Sequence, residues 1–147
     1  MKLLIGTLSL LLYLDASSWA QEVKKDFIEP RPQEATSMAV KTRGGTMLFL
    51  AGHTASLPQV DADHGNFDAQ ARRSFDKIKN TLAKAGGGLD DIVSMSVFMT
   101  DLRYVPDYVR LAKELFKKGL PATTFVEVSH LARPQLLVEI QPVAVTP

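Results

Sequence analysis

The chain has 147 residues, 46% of them apolar and 22% charged, with 17 basic and 16 acidic side chains and no cysteine. That length suits one domain with a modest core. The near-neutral balance gives no electrostatic case for a nucleic-acid or membrane partner. The lack of cysteine excludes a disulfide framework, a thiolate nucleophile and a thiolate metal site.

Met1 to Ala20 reads as a secretory signal peptide. Lys2 gives the positive start, Leu3 to Leu14 the apolar stretch and Ser18-Trp19-Ala20 a small-x-small cleavage site. The apolar run is too short to span a bilayer comfortably; a buried N-terminal helix or an uncleaved anchor is the alternative. Cleavage after Ala20 predicts a periplasmic or secreted protein with no membrane association once the signal is removed. Residues 21–35, charged and containing Pro30 and Pro32, suit an extended arm. Residues 36–147 form the domain.

Ser37 to Thr42 and Thr46 to Ala51 predict a hairpin turning at Gly44-Gly45, since glycine accepts the positive φ of a two-residue turn. The polar loop Asp61-Ala62-Asp63-His64-Gly65 begins like a calcium loop. Its glycine comes one position early, however, and Arg72 stands where the closing glutamate belongs, so no metal is expected. Asn66 can cap a helix whose apolar stripe is Ala71, Phe75, Ile78 and Leu82, ended by Gly86-Gly87-Gly88. No glycine loop precedes a helix to cradle phosphate, and no cofactor is expected.

A strand follows at Asp91–Thr100, then a helix from Val105 to Lys118 with Tyr108, Ala112, Leu115 and Phe116 inward, ended by Gly119. Two β-branched, apolar runs close the chain, separated by the link Ser129–Gln135. Alternation puts Thr124, Val126 and Val128 on one face of the first and Thr123, Phe125 and Glu127 on the other. In the second, Leu136, Val138 and Ile140 oppose Leu137, Glu139 and Gln141. Glu139 is a carboxylate inside an apolar strand, so it must face water, a partner subunit or a ligand pocket. The fold class is α+β, in the order β-β-α-β-α-β-β, with two helices on one face of a single sheet. The uncovered face predicts self-association.

Several segments together resemble the Rid (reactive intermediate deaminase, YjgF-like) family. They are Ser-Met-Ala-Val; Phe-Leu-Ala-Gly-His-Thr; Phe-x-x-Gln-x-Arg; Asp-Asp-Ile-Val-x-x-x-Val-Phe-x-Thr-Asp-Leu; Pro-Ala-x-Thr-x-Val-x-Val; and Val-Glu-Ile-x-x-Val-Ala. The likeness covers nearly all of Ser37 to Val145. It implies a chorismate-mutase-like fold, a homotrimer and small-molecule sites in the clefts between subunits. It also implies hydrolytic deamination of small imines or enamines. Residue by residue, Glu139 matches the glutamate that positions or activates water. Thr123, Thr124 and Phe125 match the segment whose backbone holds the imine nitrogen, and Gly52 matches a glycine at the strand end. Thr36 stands at a tyrosine position, His53 at a glutamine position and Val109 where some members have asparagine.

The chief departure is Thr123, where typical deaminating members have the arginine that pairs with a substrate carboxylate. Arg133 can swing in to replace that guanidinium or simply lie on an exposed turn. His53 can transfer protons or form a hydrogen-bonding rim. Glu139 is either the pocket acid or base or a structural carboxylate pairing across the trimer. Two functions follow: an imine or enamine deaminase with altered substrate range, or a non-catalytic trimer that binds a small molecule in the same clefts.

Overall fold

The computed structural model describes residues 22–55 and 63–147. The expected signal peptide and the start of the calcium-like loop lie outside the described residues. The elements are β1 (Lys24–Arg31), β2 (Thr36–Arg43), β3 (Thr46–Phe49), α1 (Phe67–Ala83), β4 (Ile92–Met99), α2 (Val105–Leu115), β5 (Ala122–Glu127) and β6 (Val138–Thr146).

Four strands form one sheet in the order β3-β6-β4-β5. β6 runs antiparallel to both β3 and β4, and β4 and β5 are parallel. A parallel pair needs a crossover, which α2 supplies. Asn66 caps α1 by accepting from the Ala69 amide at 3.0 Å, and Gly86 follows its end with φ 76°. Phe67, Ala71, Phe75, Ile78 and Leu82 of α1 and Tyr108, Leu111 and Ala112 of α2 are buried against one side of the sheet. Met95, Val97, Met99, Val138 and Ile140 meet them from the strands. Each fully buried side chain of this size contributes roughly 1.5–3 kcal/mol. The two helices on a sheet expected from the sequence are therefore found.

Two local expectations change. Gly44 and Gly45 do take positive φ, 74° and 78°, but the strands on either side of them do not pair. β2 pairs with β1, and β3 with β6. The stretch expected as an extended arm is thus, from Lys24 to Arg31, an outer strand of its own two-stranded ladder. An edge position tolerates Pro30, whose missing N–H costs nothing on the unpaired side. The ladder leans on β5 through the Ser37 amide, which donates to Pro121 O at 3.2 Å.

Candidate active site

Cross-strand register gives the sheet face away from the helices. One row runs Glu139, Phe98, Val126, and the next runs Gln141, Ser96, Thr124. A third runs Phe49, Val143, Ser94, Ala122. Phe49 is 79% exposed and Met47 56%. Glu139 is the one ionisable side chain in these rows. It is half-buried, and among the described residues it accepts no hydrogen bond and forms no ion pair. Its carboxylate lies against Gly52. A Cβ built on Gly52 would overlap Glu139 Oε1 and come within 2.7 Å of Cδ, so glycine lets the carboxylate keep this position, and any other residue would push it aside.

Thr123 lies on the other side of the sheet. Its hydroxyl donates to Pro121 O at 3.3 Å and is within hydrogen-bond reach of the Tyr108 phenol. Its amide donates to Thr36 Oγ1 at 2.8 Å. Thr36 is buried and donates to backbone carbonyls of Ser37 and Pro121, so it ties the start of β2 to the start of β5. Phe125 packs edge-on against Tyr108, with ring centroids 5.1 Å apart. Tyr108 is fully buried; that burial raises its phenol above the ordinary value of 10, and the Thr123 hydrogen bond offsets part of the shift.

His53 also sits on the helix side, bridged through its backbone to Ile140. Its Nδ1 pairs with Ala51 O at 2.7 Å, which fixes the proton on Nδ1 and leaves Nε2 facing Thr81 Oγ1 at 3.3 Å. It borders a groove of ≈ 310 Å³ between the β3 edge and α1. Arg133 lies on the exposed turn before β6, and its carbonyl accepts from the Leu136 amide.

Within one chain, then, Glu139, Gly52 and Thr124 share the open face, while Thr36, Thr123, Phe125 and His53 belong to the helix side. Among the described residues no group of three or more His, Asp or Glu converges for a metal, and no helix is long and apolar enough to cross a membrane.

Sequence reasoning quoted Gln70 only as the glutamine of Phe-x-x-Gln-x-Arg and gave it no role. It is fully buried; its Oε1 accepts from the Leu137 amide at 2.9 Å, and its Nε2 donates to Gln135 O at 2.9 Å and Asp63 O at 3.3 Å. This amide fixes the chain two residues before Glu139. The available signal was a polar amide inside the stripe Phe67, Gln70, Ala71, Ser74.

A family model described as Endoribonuclease L-PSP matches residues 28–146. A Yersinia pestis member of the Rid protein family, YyfB, superposes with TM-score 0.71 at 22% identity, covering 82% of this chain and 98% of its own. The chain belongs to the Rid/YjgF family. A RutC family protein of Pyrococcus abyssi is 31% identical over 116 residues, 78% of this chain and 89% of that protein. TdcF of Escherichia coli, whose name proposes a reactive intermediate deaminase, is 30% identical over 69% of this chain and 80% of its own. A Mycobacterium tuberculosis member of the YjgF/YER057c/UK114 family superposes with TM-score 0.58 at 29% identity, over 84% of this chain and all of the other. Rid membership supports a role of the reactive-intermediate-deaminase or small-molecule-binding kind.

Proposed function

We propose that this protein is a hydrolytic deaminase of small imines or enamines that lack a carboxylate. It works as a homotrimer, exported to the periplasm or beyond after loss of residues 1–20. The observation that carries this reading is Glu139: an unpaired, half-buried carboxylate held against Gly52 on the uncovered sheet face. The reaction is R₂C=NH + H₂O → R₂C=O + NH₃, an enamine first tautomerising to the imine. Glu139 takes a proton from water as the oxygen bonds to the imine carbon. It passes that proton to nitrogen, giving the carbinolamine, and then carries the carbinolamine hydroxyl proton to nitrogen as the C–N bond breaks, the C=O bond forms and ammonia leaves.

Thr123 supports the altered range. It has no charge to offer a substrate carboxylate, and its amide and hydroxyl are already engaged by Thr36 and Pro121. Such engagement also favours a second reading, a trimer that binds a small molecule without turnover. Ribonuclease activity, named in the family's description, is the weaker fit, because among the described residues the cross-strand rows of the open face hold no cation for phosphate.

Ammonia release from a panel of imines separates the readings. Imines without a carboxylate should be hydrolysed, and Glu139→Gln should stop it. Losing a charged anchor typically costs roughly 2–5 kcal/mol, or about 30- to 3,000-fold, so 2-iminopropionate should be a poor substrate. Thr123→Arg should improve it where the trimer brings residue 123 of one subunit to the Glu139 face of its neighbour. Efficient 2-iminopropionate turnover that Glu139→Gln leaves unchanged would overturn the proposal. Light scattering should return three times the monomer mass.

A further inference from the structure

We infer that the helix side holds a ligand site of its own, at the shared end of α1 and α2, for a small aliphatic carboxylate. It lies across the sheet from Glu139 and depends neither on turnover nor on the open face. Topology makes the place. β3 and β4 each run antiparallel to β6, and β5 runs parallel to β4, so the two crossover helices return in the same direction and end together. Where the turns that follow them meet, a cavity of ≈ 410 Å³ opens, lined by Lys79, Gly88, Leu89, Asp90, Leu115 and Lys118 among others. That volume is within the range of small-molecule pockets. A narrower crevice of ≈ 180 Å³ runs on from it to the buried Phe75, and Lys79, Leu89 and Leu115 line both.

Each aspartate of the cavity is already matched. Asp91 accepts from Lys25 Nζ at 3.0 Å and from the Gly88 amide at 2.9 Å, and Asp90 pairs with Lys118 at 3.2 Å. In the crevice, Arg72 is held by Asp68 and Glu114, and Asp76 acts on Arg73. Lys79 is left: among the described residues no hydrogen bond or ion pair engages it. The unanswered side chain where the two spaces join is therefore a cation, beside two apolar side chains that pack on the core. Gly88 is the third observation. Its φ is −150°, which any residue adopts, and a Cβ built on it meets nothing within 4 Å, whereas one on Gly87 would come within 2.5 Å of Thr146. Neither conformation nor crowding requires glycine at 88; its effect is to leave the cavity open and the backbone bare to a ligand. A carboxylate at Lys79 lays its hydrocarbon against Leu89 and Leu115. An organic cation would meet two lysines and find both aspartates taken.

The test uses the full-length protein and three probes sharing one chain, hexanoate, hexanol and hexylammonium, titrated at neutral pH and low salt by NMR or calorimetry. Hexanoate should bind about two- to fivefold more tightly than hexanol, the worth of one exposed ion pair, and hexylammonium should bind least. Lys79→Gln, an exposed substitution, should bring hexanoate level with hexanol. Gly88→Phe fills the cavity and should abolish binding of both while leaving the thermal midpoint near the parent's. Hexylammonium binding as tightly as hexanoate would overturn the inference. So would a lead of hexanoate that survives Lys79→Gln, binding unaffected by Gly88→Phe, or no saturable binding of hexanoate. Glu139→Gln should leave hexanoate binding as it was; its loss there would move the ligand to the open face and sink this site. Hexanoate binding without imine hydrolysis would keep this site and remove the catalytic reading, and hydrolysis without hexanoate binding would do the reverse.

Discussion

On the helix side of the four-stranded sheet, Met95, Val97, Met99, Val138 and Ile140 are each 2% exposed or less and lie in one core with Phe75 and Tyr108. On the open side, one residue out of step along the same strands, stand Ser94, Ser96, Phe98, Glu139 and Gln141. Strand geometry forces this separation, because neighbouring side chains cannot share a face. Stability is therefore concentrated on one side, and the unpaired chemical group sits on the other. Neighbours in sequence should respond to substitution in unlike ways.

The sharpest contrast is between residues 139 and 140. Ile140→Ala removes a fully buried side chain and should cost about 2–5 kcal/mol, read as a lowered denaturant midpoint. Glu139→Gln should stay within about 0.5 kcal/mol of the parent while abolishing ammonia release. Equal losses of stability would break the comparison.

Gln70→Leu comes next. It leaves the Leu137 amide and the Gln135 carbonyl without their buried partner and should cost about 1–3 kcal/mol. Faster hydrogen exchange at the Leu137 amide would report the same loss locally.

Tyr108 sharpens the view from the core side. Burial raises its pKa, so above pH 10 the unfolded chain gives up the phenolic proton before the folded one. Its contribution is fully present below pH 10 and is lost as pH rises further, by at most about 1.4 kcal/mol per pH unit. Tyr108→Phe should remove that part of the slope in alkaline denaturation.

The smallest effect belongs to the helix surface, where Asp68 pairs with Arg72 at 2.7 Å and Arg110 at 3.3 Å. The Arg72 hydrogen bond, more than any other factor, holds the Asp68 carboxyl below its ordinary value of 3.8. Its stabilisation is present above that value and lost as pH falls through the lowered one. With a third of the side chain exposed, Asp68→Asn should cost only a few tenths of a kcal/mol at neutral pH, about that of an exposed pair, and less in high salt.

The helices were legible because their apolar spacing and caps are local, and so was the outward place of Glu139, since alternation within β6 is strict. Alternation also grouped Thr123 with Phe125 correctly. It did not say which side was the core; the Tyr108–Phe125 contact decides that. His53 escaped because it lies beyond the end of β3, where an irregular stretch breaks the count of alternating faces. The pairing of β1 escaped for a different reason: Lys24, Lys25, Asp26, Glu29 and Pro30 carry little apolar pattern, and its partner was claimed by an apparent turn at Gly44-Gly45. The role of Gln70, quoted only within Phe-x-x-Gln-x-Arg, was hidden because a helical stripe is read by its apolar members.

The docking of β1 has a consequence for how the chain is made. Lys25 Nζ donates to Asp90 O at 2.7 Å and Asp91 Oδ1 at 3.0 Å, and the Phe27 ring occupies the space a Cβ on Gly119 would need. β1 therefore fastens to positions synthesised 65 to 92 residues later, a wait of roughly 3–18 seconds at ordinary translation rates. During that interval the β1–β2 ladder has nothing to lean on. A nascent chain that stops short of Gly119 keeps its opening hairpin undocked, and completing the chain is what fastens it.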